Sequence, residues 1–68
     1  MPSWDTPTQR VYDSIWDEPG VNCSAIHRQT HLDLAYVLKV VDALERQRAI
    51  WVDRAYVDPG AFRCYPTV

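Results

Sequence analysis

Two helix-start signals, eleven residues apart, constrain this chain more than anything else in it. At Val21-Asn22 an apolar residue precedes a good capping side chain, and Ile26 stands where a hydrophobic staple would place it. The device recurs at Leu32-Asp33, with Val37 in the stapling position. Helices that start so close together leave room only for a tight turn between them. The pattern is the outline of a helix-turn-helix.

The flanking segments extend this outline. Thr6 as cap, Pro7 at the first helical position and Gln9 three residues past the cap predict a first helix from roughly Pro7 to Asp17. Its Val11 and Ile15 share one face, with Tyr12 and Trp16 beside them, and Glu18-Pro19-Gly20 stops it. The second helix ends near Thr30. In the third, Val37, Val40, Val41 and Leu44 form one inward stripe. Beyond Arg48 the pattern turns β-like. Ile50 to Val57 reads as a strand, Asp58-Pro59-Gly60 as a turn, and Phe62 to Tyr65 as the returning strand. The expected core is Val11, Ile15, Ile26, Val37, Val40, Val41, Leu44, Ile50 and Val52.

Sixty-eight residues build one core, so residues 1–68 are expected to form a single domain, with an arm over 1–5 and a wing over 50–66. A content of 47% hydrophobic and 24% charged residues excludes a disordered chain. No apolar run reaches the roughly 20 residues a bilayer requires. The N-terminus lacks the basic and apolar regions of a secretory signal, and the expected location is the cytoplasm. Cys23 and Cys64 are too few for a disulfide scaffold and lack the paired spacing of a zinc site. His27 and His31 are four apart, but the helix is expected to end between them, so no metal is assigned. No nucleophile-base set and no glycine-rich phosphate loop is present. No enzymatic activity, cofactor or small-molecule substrate is expected.

Charge points two ways. The net charge is −2 and the pI is near 5.4, which does not favour a nucleic-acid partner. The acidic excess sits in residues 1–20, where Asp5, Asp13, Asp17 and Glu18 face Arg10 alone. The remainder carries Arg28, Lys39, Arg46, Arg48, Arg54 and Arg63 against Asp33, Asp42, Glu45, Asp53 and Asp58.

From Thr8 to Tyr65 the chain resembles winged helix-turn-helix regulators of the bacterial and archaeal multiple-antibiotic-resistance and arsenical-repressor kinds. Ser24-Ala25-Ile26-His27 stands where that family anchors its second helix. Tyr36 to Arg46 is similar to the recognition helix, and Ala49-Ile50 to the apolar pair that opens the wing. Where the family often has glycine after the recognition helix, this chain has Arg48. The resemblance implies an α+β fold, three helices followed by a two-stranded β-hairpin wing. It also implies a short strand before the second helix that pairs with the last wing strand, bringing Cys23 close to Cys64 with both thiols reduced.

By the same resemblance, the positions that reach base edges are Leu34, Ala35, Tyr36, Leu38, Lys39 and Asp42. Two leucines and an acid there are unusual for a surface that reads bases. Arg28 belongs to the helix that crosses the DNA backbone, and Arg54 and Arg63 flank the wing turn. The expected DNA-binding set is therefore Arg28, Ala35, Tyr36, Lys39, Arg54 and Arg63, on a homodimer gripping duplex DNA. Trp4 and Trp16 are candidate dimer contacts, and Leu34 and Leu38, taken as exposed, candidate protein contacts. The alternative is a winged-helix protein-interaction module, a small viral or plasmid-encoded factor that does not bind DNA by itself. The acidic pI, the two leucines and Asp42 support it.

Overall fold

A computed structural model describes residues 4–67. Its elements are α1 (Thr6–Asp17), β1 (Val21–Asn22), α2 (Cys23–Thr30), α3 (Leu34–Arg46), β2 (Ile50–Asp53), a 3-10 turn (Pro59–Ala61) and β3 (Arg63–Pro66). Residues 1–3 of the expected arm lie outside the described residues.

Local capping sets the helix boundaries. Asp5, rather than Thr6, caps α1, its carboxylate accepting from the Thr8 amide at 3.0 Å. Thr8, through its side chain first and its backbone amide second, holds the Asp5 carboxyl below its usual range. Asn22 caps α2 as expected, accepting from the Ala25 amide at 2.7 Å. Asp33 precedes α3 but makes no side-chain capping bond. Both helices of the central pair end on left-handed residues. His31 (φ 60°) closes α2, with its amide donating to the His27 carbonyl. Arg48 (φ 60°) closes α3 in a Schellman arrangement, where Arg48 donates to Glu45 and Ala49 to Leu44. The position where a glycine would be unstrained thus holds an arginine in the glycine conformation.

The wing is part of a three-stranded antiparallel sheet, order β1-β3-β2, rather than a hairpin alone. β1 pairs Val21 with Cys64 and Asn22 with Arg63, and β2 runs from Ile50↔Pro66 to Asp53↔Arg63. The third strand is the short segment before α2 that the winged-helix resemblance implied. β2 stops at Asp53, four residues earlier than the alternation of Ile50 to Val57 suggests. Asp53 turns its carboxylate onto the Ala55 amide at 3.0 Å, diverting the chain from the ladder.

The core lies where the three helices meet the inner face of the sheet. Val11, Ile15, Val21, Cys23, Ile26, Val37, Val40, Val41, Leu44, Ile50 and Cys64 are buried together. Eight of the nine expected core residues are among them; Val52, on the outer strand of a narrow sheet, is half-buried against the cluster. Leu34 and Leu38 are also half-buried and packed on this core, not free leucines. Two ties close the bundle. Arg10 reaches from α1 to the Thr30 carbonyl at 2.6 Å, and the Trp4 indole donates to the Gln47 side chain at 3.0 Å.

Candidate nucleic-acid interface

The outward side of α3 follows from its inward one. With Val37, Val40, Val41 and Leu44 turned into the core, Ala35, Tyr36 and Lys39 are left exposed within little more than one turn. Lys39 has no ion-pair partner among the described residues. One turn on, Asp42 and Arg46 pair at 3.1 Å, so their charges compensate on the surface. The free positive charge of the helix is therefore concentrated near its N-terminal half, at Lys39. Arg28 is exposed near the C-terminus of α2, where a cation complements the helix dipole.

The two wing arginines do different things. Arg54 forms a bidentate pair with Glu45, both N–O distances 2.6 Å, and lies over the Phe62 ring at 5.7 Å. This clasp fastens the base of the wing to the last turn of α3. The guanidinium holds the Glu45 carboxyl below its ordinary range, while Glu45 raises Arg54. Arg63 pairs across the sheet with Asp53 and sits 6.0 Å from the Tyr56 ring, on the outer face with Trp51 and Tyr65. Arg54 and Arg63 both flank the wing turn in sequence, and strict alternation with inward residues would set them on one face. They lie on opposite sides because Arg54 falls beyond the end of β2 and turns toward α3.

The aromatic residues likewise divide. Trp4 is packed against the core, with its ring 4.6 Å from that of Tyr12. Trp16 stays 45% exposed on α1, with Tyr12 edge-on to it at 6.1 Å. A feature that sequence reasoning missed is the stack of Trp51 on Tyr65, 4.2 Å between centroids and 11° between planes. Its signal was available only once the register was known, because cross-strand pairing sets those two rings opposite each other.

The loop from Arg54 to Phe62 is anchored at its far end. Asp58 caps the 3-10 turn through the Gly60 amide at 3.0 Å. Gly60 is buried, and a Cβ there would stand 2.6 Å from the Ser24 hydroxyl on α2. A side chain has no room, so glycine lets the turn press on α2. Tyr56 and Val57 are left at the tip, Val57 fully exposed.

His27 and His31, four apart in sequence, take different places at the end of α2. His31 is the left-handed residue that ends α2, and His27 meets the Leu32 carbonyl through Nδ1. Among the described residues no cluster of three metal-ligating side chains exists, and no helix is long and apolar enough to cross a membrane. Cys23 and Cys64 are both free and buried in one core cluster.

Three helices with the second and third in tight succession, followed by a β2-β3 wing and an added edge strand, define a winged helix-turn-helix fold. The backbone is similar to that of the PcaV transcriptional regulator from Streptomyces coelicolor, solved in complex with its natural ligand. The TM-score is 0.82 over 94% of this chain, at 22% identity. This chain spans 45% of that one. No protein-family model and no curated protein matches the sequence.

Proposed function

We propose that this domain is a DNA-binding transcriptional regulator that lays α3 in the major groove and steadies itself with the wing. The observation that carries this reading is the unpaired Lys39, exposed beside Ala35 and Tyr36 on the outer face of α3 within a winged-helix frame. Arg28 on α2 and Arg63 on the outer face of the wing serve phosphates on either side of that contact. Ala35 leaves room for the helix to approach base edges, and Tyr36 supplies ring contact to a thymine methyl or sugar. Arg54, occupied by Glu45, sets the angle between wing and helix and exchanges its carboxylate for a phosphate only at the cost of the clasp. Two copies related by symmetry, meeting through the exposed Trp16, would double a small footprint; the site of action is the cytoplasm.

Titration against random duplex DNA at low salt tests the proposal. Binding is expected to fall with a log-log slope of about −0.9 for each neutralised phosphate. Arg28→Ala and Arg63→Ala should flatten that slope equally for all sequences, whereas Lys39→Ala or Tyr36→Ala should alter sequence preference. Absence of binding at micromolar protein would remove DNA as the partner. One observation favours a protein-interaction module instead: Asp42 and Glu45 already neutralise Arg46 and Arg54, leaving few free cations on the face. That reading gains if Lys39, Arg28 and Arg63 can all be replaced without loss of function.

A further inference from the structure

Cys23 and Cys64 are distant in sequence but adjacent in the core. Cys64 lies on the central strand, paired with Val21 of β1 on one side and Val52 of β2 on the other. Cys23 follows β1 directly as the first residue of α2, and its side chain joins the same buried cluster as Cys64. Its amide donates to the Phe62 carbonyl at 3.2 Å, which holds this first residue of α2 against the end of β3. Both side chains are fully buried in the same core cluster, and both cysteines are free. As packing, each cysteine is a small hydrophobe; what sets the pair apart is the redox chemistry that two neighbouring thiols share.

We propose that Cys23 and Cys64 form a peroxide-reactive dithiol that closes to a disulfide in the native protein, pinning the start of α2 to the central strand. A small hydroperoxide is the oxidant that suits so enclosed a pair. It reaches the sulfurs when β1, an edge strand of two residues, frays from β3. The Cys23 thiolate attacks one peroxide oxygen and the O–O bond breaks. The departing hydroxide takes up a proton as water and leaves a sulfenic acid on Cys23. Cys64 then attacks the Cys23 sulfur, the S–O bond breaks, and the oxygen leaves as a second water with the remaining protons. Two thiols lose two electrons in all, and the peroxide is reduced to two waters. The order of attack follows from the local chemistry. Interaction with Cys64 draws the Cys23 thiol below its ordinary range, and the same interaction together with burial pushes Cys64 up. Cys23 also opens a helix, where the amide dipoles favour a thiolate.

The test treats the folded protein with hydrogen peroxide, blocks remaining thiols with N-ethylmaleimide and digests it with trypsin without reductant. Cleavage at Arg10, Arg28 and Arg63 places Cys23 in the fragment 11–28 and Cys64 in 64–68. The expected product is these two fragments joined, lighter than their sum by two hydrogens and separated by a reductant. In Cys64→Ala, the sulfenic acid should persist on Cys23 and be trapped by dimedone. Two maleimide-blocked thiols after native treatment would overturn the proposal. So would linkage that forms as fast in denaturant as in the folded state, because the native juxtaposition would then contribute nothing. Neither result depends on whether the domain binds DNA.

Discussion

The recognition helix and the wing are neighbours in space but are held by different kinds of force. In α3 four side chains, Val37, Val40, Val41 and Leu44, sink into the core, and the last turn closes on its own backbone. In the loop between β2 and β3 only Gly60 is buried, Phe62 packs partly on the core, and the rest is placed by polar contacts. Those contacts are the Arg54–Glu45 clasp, the Asp53 turn and the Asp58 cap. Burial fixes an element in every direction at once, whereas a few hydrogen bonds fix it at points. The helix is therefore the rigid half of the candidate interface and the wing the adjustable half.

The contrast can be broken most forcefully from the helix side. Leu44→Ala removes a fully buried side chain facing the other helices and should cost about 2–5 kcal/mol in a urea melt. A variant that melts like the parent would show that the buried stripe is not what fixes α3. On the wing side the largest effect should come from Gly60→Ala. The added methyl meets the Ser24 hydroxyl, and overpacking of this kind costs about 1–3 kcal/mol, the lower end applying if that hydroxyl swings away. Combining it with Ser24→Ala removes the obstructing atom, so most of the loss should return; additive losses would place the strain elsewhere.

A smaller effect separates the two regions by pH. Glu45 is held below the ordinary carboxylate range by Arg54, so its contribution is present above the unfolded pKa and lost as pH falls through the lowered folded pKa. Glu45→Gln should thus cost about 1 kcal/mol or less at neutral pH and reduce the acid-side loss of stability. The wing tip should also gain amide exchange while α3 keeps its protection. Equal loosening of both would mean that the clasp supports the helix rather than the wing. The smallest effect expected is a gain. Arg48→Gly relieves a left-handed residue but frees the unfolded chain, a balance of about 0.5 kcal/mol in favour of folding.

The same division explains what the sequence made legible. Helix periodicity and the Asn22 cap are written within a few residues, so the helices and the stripe Val37-Val40-Val41-Leu44 were readable. The strand ending was not, because the alternation through Val57 continues past the point where the Asp53 carboxylate takes the Ala55 amide. Leu34 and Leu38 looked exposed on a helical wheel, yet the core reaches them from beyond α3 itself. Within the candidate site, Ala35, Tyr36 and Lys39 were legible because outward positions are the complement of inward ones. The pairing of Arg54 with Glu45 and the separate face of Arg63 depend on how the wing meets the helix, which no local pattern encodes.

The first helix is tied to two different members of the bundle. Near its N-terminal end Trp4 is tied to Gln47, just past α3, and Arg10 in its middle is tied to Thr30 at the end of α2. Beyond those ties, toward its C-terminal end, Val11 and Ile15 are wedged into the core. Struts to two different members leave α1 no axis along which it can slide alone. It behaves as one leg of a truss, so a load at its outer corner, at Trp16, is shared with α2 and α3 through those contacts.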